Sequence, residues 1–128
     1  MFTTEQINDI HDRLGAAETL VQYLQALEAI GVERSDSFIA DGHSEYFGKG
    51  GHRVVTGPAH ERLTVAGTCD RERFLEQLRL HARGETSYLE MSKGLAESGI
   101  ESWTFDTSAM TITYHDEAGN EILVEAVR

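Results

Sequence analysis

The chain of 128 residues has one cysteine, one proline, one tryptophan and half as many basic as acidic residues, 11 Lys and Arg against 22 Asp and Glu. Each shortage excludes something. A lone thiol, Cys69, cannot close an internal disulfide and leaves a thiolate metal cluster without partners, so it reads as a small core residue. Pro58, the only proline, falls in the one stretch that reads as a linker. A net charge of −11 repels phosphate backbones and anionic headgroups, which argues against a nucleic-acid or membrane surface and leaves a basic or neutral partner easier to accommodate. The same charge also serves plain solubility. No apolar run is long enough to cross a bilayer. The opening "MFTTEQINDIHDRLG" lacks the basic start and unbroken apolar stretch of a secretion signal, and the expected compartment is the cytoplasm.

What remains is 40% apolar and 26% charged, the composition of a soluble globular protein. A chain of this length suits a single domain, residues 1–128, that buries roughly two thirds of its unfolded surface.

Helix signals come in pairs. "FTTEQI" offers Thr3 and Gln6 as the two halves of a capping box, and the spacing of Ile7, Ile10 and Leu14 predicts a helix over 4–14 with Gly15 as its stop. "TLVQ" repeats the box with Thr19 and Gln22, followed by Leu20, Leu24 and Leu27 on one stripe. Gly31 is the expected left-handed stop, with Leu27 and Val32 in Schellman contact. Downstream, "CDRERFLEQLRLHARG" predicts a helix over 71–82. "SYLE" then gives a third box, Ser87 with Glu90, before a helix that ends at Gly99 as the earlier one ends at Gly31.

Strand material follows each capped helix. "VERSDSFIADGHSEYFGKGGHRVVT" contains Asp41-Gly42, the dipeptide of a two-residue hairpin turn. "IESWTFDTSAMTITYHDEAGNEILVEAV" repeats strand, turn, strand, turn, strand, with Tyr46 matched by Tyr114 and Gly51 by Gly119. The expected fold is α+β: two tandem helix, helix, three-stranded antiparallel units, residues 1–56 and 69–128, joined by a linker at 57–68, with four helices and about six strands in all. Open edges on each unit favour a shared sheet or a common core.

The segment "DGHSEYFGKGGH", residues 41–52, concentrates polar chemistry, and Asp41, His43, Glu45, Tyr46 and His52 are the candidate ligand-binding residues. A two-residue turn pairs Ala40 with His43 and Phe38 with Glu45, so His43 and Glu45 leave the strand on the face of Phe38, roughly 7 Å apart. An imidazole beside a carboxylate suits acid and base work near neutral pH. The second unit carries Thr111, Thr113 and Asn120 where the first has His43, Glu45 and His52, so a hairpin alone does not demand those groups. No catalytic residue, metal set or cofactor is assigned. His11 and His81 read as surface residues of helices, and His60 as a linker residue able to fold back over the first hairpin. Trp103, Phe105, Ile112 and Tyr114 read as core. Ser35, Ser37 and Ser44 have no nucleophile elbow around them, and "GKGGH" precedes a strand rather than the helix N-terminus that holds phosphate.

The opening "FTTEQINDIHDRL", the central "EYFGKGG", "YLEMSKGLAESGIESWTFD" and the ending "TYHDEAGNEILVE" together resemble the bacterial and phage family of unknown function numbered 1398, over essentially the whole length. The resemblance implies a small single-domain protein, in some members labelled a phage envelope protein, and it implies no catalytic residues. The expected function is a non-enzymatic module that binds a small molecule or a protein through the 41–52 hairpin, with a homodimer as one open arrangement. The alternatives are a small hydrolase or isomerase using His43 and Glu45, with or without a metal that adds His52, and a phage-derived protein whose acidic surface meets a basic host factor.

Overall fold

Two capping boxes set the helix starts. In the computed structural model, which describes residues 1–15 and 17–127, the Thr3 hydroxyl accepts from the Gln6 N–H and the Gln6 side chain accepts from the Thr3 N–H, opening α1 (Thr4–Leu14). Ser87 and Glu90 make the same reciprocal pair at the start of α4 (Tyr88–Glu97). Asp70 caps α3 (Arg71–Ala82) by accepting from the Arg73 N–H.

Thr19 departs from the expected box. The chain enters α2 (Leu20–Ala29) through a 3-10 turn at Ala17–Thr19, which takes Thr19 out of the extended conformation a cap needs. Its hydroxyl instead donates to the Leu14 carbonyl at 2.7 Å, one of the carbonyls that the end of α1 leaves without a helical partner.

Six strands form one fully antiparallel sheet: β1 (Val32–Phe38), β2 (Ser44–Gly48), β3 (Arg53–Val55), β4 (Ile100–Asp106), β5 (Thr111–Asp116) and β6 (Glu121–Ala126), in the order β3-β2-β1-β4-β5-β6. Four helices and six antiparallel strands, among the described residues, make this an α+β fold. β1 and β4 lie side by side at its centre, where the Thr104 hydroxyl donates to Asp36 at 2.7 Å.

Alternation along the strands gives the sheet one buried face, and the helices cover it. Ser35, Ser37, Tyr46, Trp103, Phe105, Ile112 and Tyr114 are buried there. Phe105 meets Tyr23 of α2 and Tyr114 meets Phe74 of α3, edge to face. Bulges just inside β1 and β4 shift the alternation by one, so Val32 and Ile100, the first residue of each strand, also reach the core at 1% and 0% exposure. α1 packs on α2 and α3 on α4.

The first hairpin is wider than Asp41-Gly42 suggests. Ser37 pairs with Ser44 and Asp36 with Glu45, two residues out from the expected register. A five-residue loop, 39–43, closes it, with Gly42 N–H donating to Phe38 at 2.9 Å and Phe38 N–H to His43 at 3.0 Å. Ile39 is the cause. Its side chain is 1% exposed in the core and its N–H donates to Glu101 of β4 at 2.8 Å, so the chain leaves the β1–β2 ladder early. Asp41 then closes the loop by accepting from the His43 N–H at 3.0 Å.

The linker is tied down at both ends. Ala59 N–H donates to Asp41 and Leu63 N–H to Ala40, whereas Ala66 N–H donates to Ala96 and Asp70 N–H to Ser98 at the end of α4. His60 does fold back on the first hairpin: its ring lies so close to Gly42 that a Cβ there would sit 2.9 Å from the imidazole.

Candidate functional site

Ser37 of β1 and Ser44 of β2 leave a space on the buried sheet face that large side chains of β4 and β5 border. Ser35, Ser37 and Ser44 lie on β1 and β2; Trp103, Phe105 and Ile112 hold the corresponding places on β4 and β5. The result is a cavity of about 660 Å³ between the sheet and the helices, within the range of about 300–1,000 Å³ usual for small-molecule sites.

All four tyrosines line it, Tyr23 from α2, Tyr46 from β2, Tyr88 from α4 and Tyr114 from β5, together with Trp103 and Phe105. Its rim is exposed residues of α1 (Thr4, Asn8 and His11) and of the linker (Gly57, Pro58 and Ala59). Among the described lining residues there is no Asp, Glu, Lys or Arg, in a chain that carries 33 of them as 22 acidic and 11 basic.

The polar groups of the lining pair with each other. The Tyr23 and Tyr46 hydroxyls are 3.4 Å apart and those of Ser37 and Ser44 are 2.8 Å apart. Burial, with Tyr46 close by, holds the Tyr23 phenol well above its ordinary pKa, and burial raises those of Tyr88 and Tyr114 as well. These phenols therefore keep their protons at physiological pH. His81 of α3 donates from Nδ1 towards Thr86, 3.2 Å from its carbonyl oxygen. The Trp103 Nε1 is buried with no acceptor among the described residues.

The five residues singled out in 41–52 go to separate places. Tyr46 faces the cavity. His43 lies on the opposite, helix-free side of the sheet, stacked on Phe38 at 4.5 Å with Nδ1 donating to Asp41 at 2.6 Å. Glu45 shares that side and is ion-paired with Arg53. His52 lies just before β3, where its Nε2 donates to the Phe2 carbonyl at 2.8 Å and its ring meets Phe2 edge-on. Asp41 stays in the loop whose neighbour, Gly42, lines the cavity. Among the described residues no group of three His, Cys, Asp or Glu could hold a metal ion.

Asp41 has a measurable signature. The backbone hydrogen bond from His43 lowers its pKa, with the His43 side chain adding to the effect. A carboxylate depressed in the folded state contributes stability that is fully present above its unfolded pKa of about 4 and lost as pH falls through the native value. Thermal unfolding midpoints of Asp41→Asn should therefore lie below those of the unmodified protein at pH 6, with the gap narrowing as pH falls below the ordinary carboxylate range; parallel curves would dismiss this role.

Residue types at alternate positions carried the signal for the cavity. Setting Ser37 and Ser44, which line the cavity, against Phe105 and Ile112 exposes a small-for-large exchange on the inward face. The comparison of His43 and Glu45 with Thr111 and Thr113 concerns the outward one.

An antiparallel sheet with paired helices on one face, and between them an aromatic cavity with no Asp, Glu, Lys or Arg among its described lining residues, makes this a small α+β protein. The chain belongs to the family described as protein of unknown function (DUF1398), whose model matches residues 8–126, as the resemblance in sequence implied. No curated protein matches the chain. No helix among the described residues is long and apolar enough to cross a membrane.

Proposed function

We propose that the protein is a non-enzymatic binding module that takes a small molecule into the cavity between its sheet and helices. The observation that carries this is the lining itself: four tyrosines, Trp103 and Phe105 converge on about 660 Å³ from elements far apart in sequence. A core built only for stability would fill such a volume, because unfilled space in a core costs stability. Of the candidate residues in 41–52, Tyr46 and the Asp41 loop serve this cavity. His43, Glu45 and His52 brace the hairpin and the N-terminus.

The reading includes a descent of the two blocks from one helix, helix, three-strand unit. Its support is register. Arg34 opposite Phe47 corresponds to Ser102 opposite His115 at a displacement of 68 residues, and Asp36 pairs with Thr104, its own counterpart at that displacement. Binding then arose in the half where inward residues became small.

Trp103, the only tryptophan, gives a direct readout as a single indole N–H resonance. Titration with naphthalene should move that resonance and raise the unfolding midpoint, by about 5 °C for roughly 1.4 kcal/mol when free probe reaches ten times its dissociation constant. An unmoved indole signal with an unchanged midpoint would overturn the reading.

A further inference from the structure

We infer that the ligand is an uncharged aromatic compound, and that the cavity turns away ions of either sign. This rests on the cavity being a binding site and adds the chemistry of what enters it.

Anions are opposed by the walls themselves. Burial raises the pKa of Tyr23 on α2, Tyr88 on α4 and Tyr114 on β5, with Tyr46 adding to the effect at the first two and Glu125 at the third. Three phenols on three elements thus resist becoming negative in place, and an anionic ligand lodged among them meets the same loss of water. No Lys or Arg among the described lining residues offsets it. The net charge of −11 works against anions on the way in as well.

Cations fare no better once inside. The net charge draws them, and aromatic faces can hold them. The wall rings, however, already use faces on their neighbours: Tyr88 meets Trp103 at 6.3 Å, Tyr23 meets Phe105 at 6.0 Å and Tyr114 meets Phe74 at 5.0 Å, each edge to face. Every such pair sets the positive edge of one ring on the negative face of the other, which occupies a face that a cation would need. Among the described lining residues no Asp or Glu completes the pairing, and an uncompensated buried charge is costly.

What the walls favour is another ring. An aromatic guest extends the edge-to-face pattern and gains more than its buried area alone supplies. A rigid planar compound also loses little freedom on entering. The polar pairs of the lining, Tyr23 with Tyr46 and Ser37 with Ser44, are satisfied by each other, so they ask for no particular polar group on the guest.

Four probes of similar size separate the possibilities: 2-naphthol, its saturated counterpart decahydro-2-naphthol, anionic 2-naphthoate and cationic 2-naphthylmethylammonium, each titrated into the intact protein by calorimetry near neutral pH. Naphthol should bind at least about tenfold more tightly than either ion. It should also bind at least about threefold more tightly than the saturated alcohol, which has the same hydroxyl and no aromatic ring. Tyr88, at 38% exposure, is the most open of the four tyrosines, so Tyr88→Leu removes a wall ring without opening the core and should reduce the preference for naphthol over the saturated alcohol. An ion or the saturated alcohol bound as tightly as naphthol, or a preference untouched by Tyr88→Leu, would overturn the inference and leave the cavity as a binding site. Failure of all four to bind would overturn the cavity reading itself, and this inference with it.

Discussion

Replacing Ser37 by alanine and Ser44 by isoleucine together lowers the affinity for naphthalene at least about tenfold, a loss of roughly 1.4 kcal/mol. Isoleucine at 44 is the residue the second half uses at the corresponding place, Ile112, so the substitution rebuilds in the cavity wall the bulk that closes the other half of the sheet. Changing both serines matters. Their hydroxyls face each other at 2.8 Å, and removing one would strand the other, whereas replacing both partners by apolar groups is close to neutral. The backbone of Ser44 is unaffected, since its N–H and carbonyl are both held by the Thr56 hydroxyl, and a β-branched residue suits a strand. The unfolding midpoint should stay the same or rise, which separates lost binding from lost folding. Unchanged affinity in a folded double variant would show that the serines do not border the ligand.

Gly99→Ala has the largest expected effect on stability. Gly99 has a φ of +88°, where a side chain costs about 1–2 kcal/mol. A Cβ there would also run into backbone, the Thr68 carbonyl oxygen and the Cys69 Cα at 2.7 Å, and forcing atoms into filled space adds about 1–3 kcal/mol. Neither neighbour is the movable end of a side chain. The total of about 3 kcal/mol corresponds to a midpoint about 12 °C lower. Gly31→Ala is the control. Its φ of +100° is similar, but its Cβ would meet only a Phe2 ring carbon at an ordinary 3.9 Å, so it should lose only the backbone part. Equal losses for the two variants would mean that the linker does not press on Gly99.

The contrast between these glycines marks what could be read in advance. Stops at Gly31 and Gly99 and caps at Thr3 and Ser87 were legible because each depends on residues within about one helical turn. So were the strands, whose alternation is local. The contact of Gly99 with Thr68 was not, because it depends on where the linker crosses the end of α4. Thr19 shows the limit at short range: its box with Gln22 is correct in spelling, yet the 3-10 turn at Ala17–Thr19 takes it out of the extended conformation a cap needs. The hairpin register was lost to Ile39, an apolar residue drawn into the core at the expense of a tight turn. For the site, the titratable residues at 43, 45 and 52 stand together in sequence, and the structure divides them between the helix-free face and the N-terminus. The cavity depends instead on which face of each strand the helices cover and on β1 meeting β4, neither of which is written in any single segment.

Asp36 opposite Thr104 bears on the proposed descent of the two halves from one unit. A lone helix, helix, three-strand unit that met a second copy of itself along its first strand would form a twofold-symmetric dimer, with residue 36 facing another residue 36. Two carboxylates there would repel, as like charges placed opposite one another on neighbouring strands do. In the proposed descent from one unit, joining the copies in one chain would free each position to evolve apart from its twin, so that an acid could sit against a threonine and one half could hollow out while the other supplied the wall.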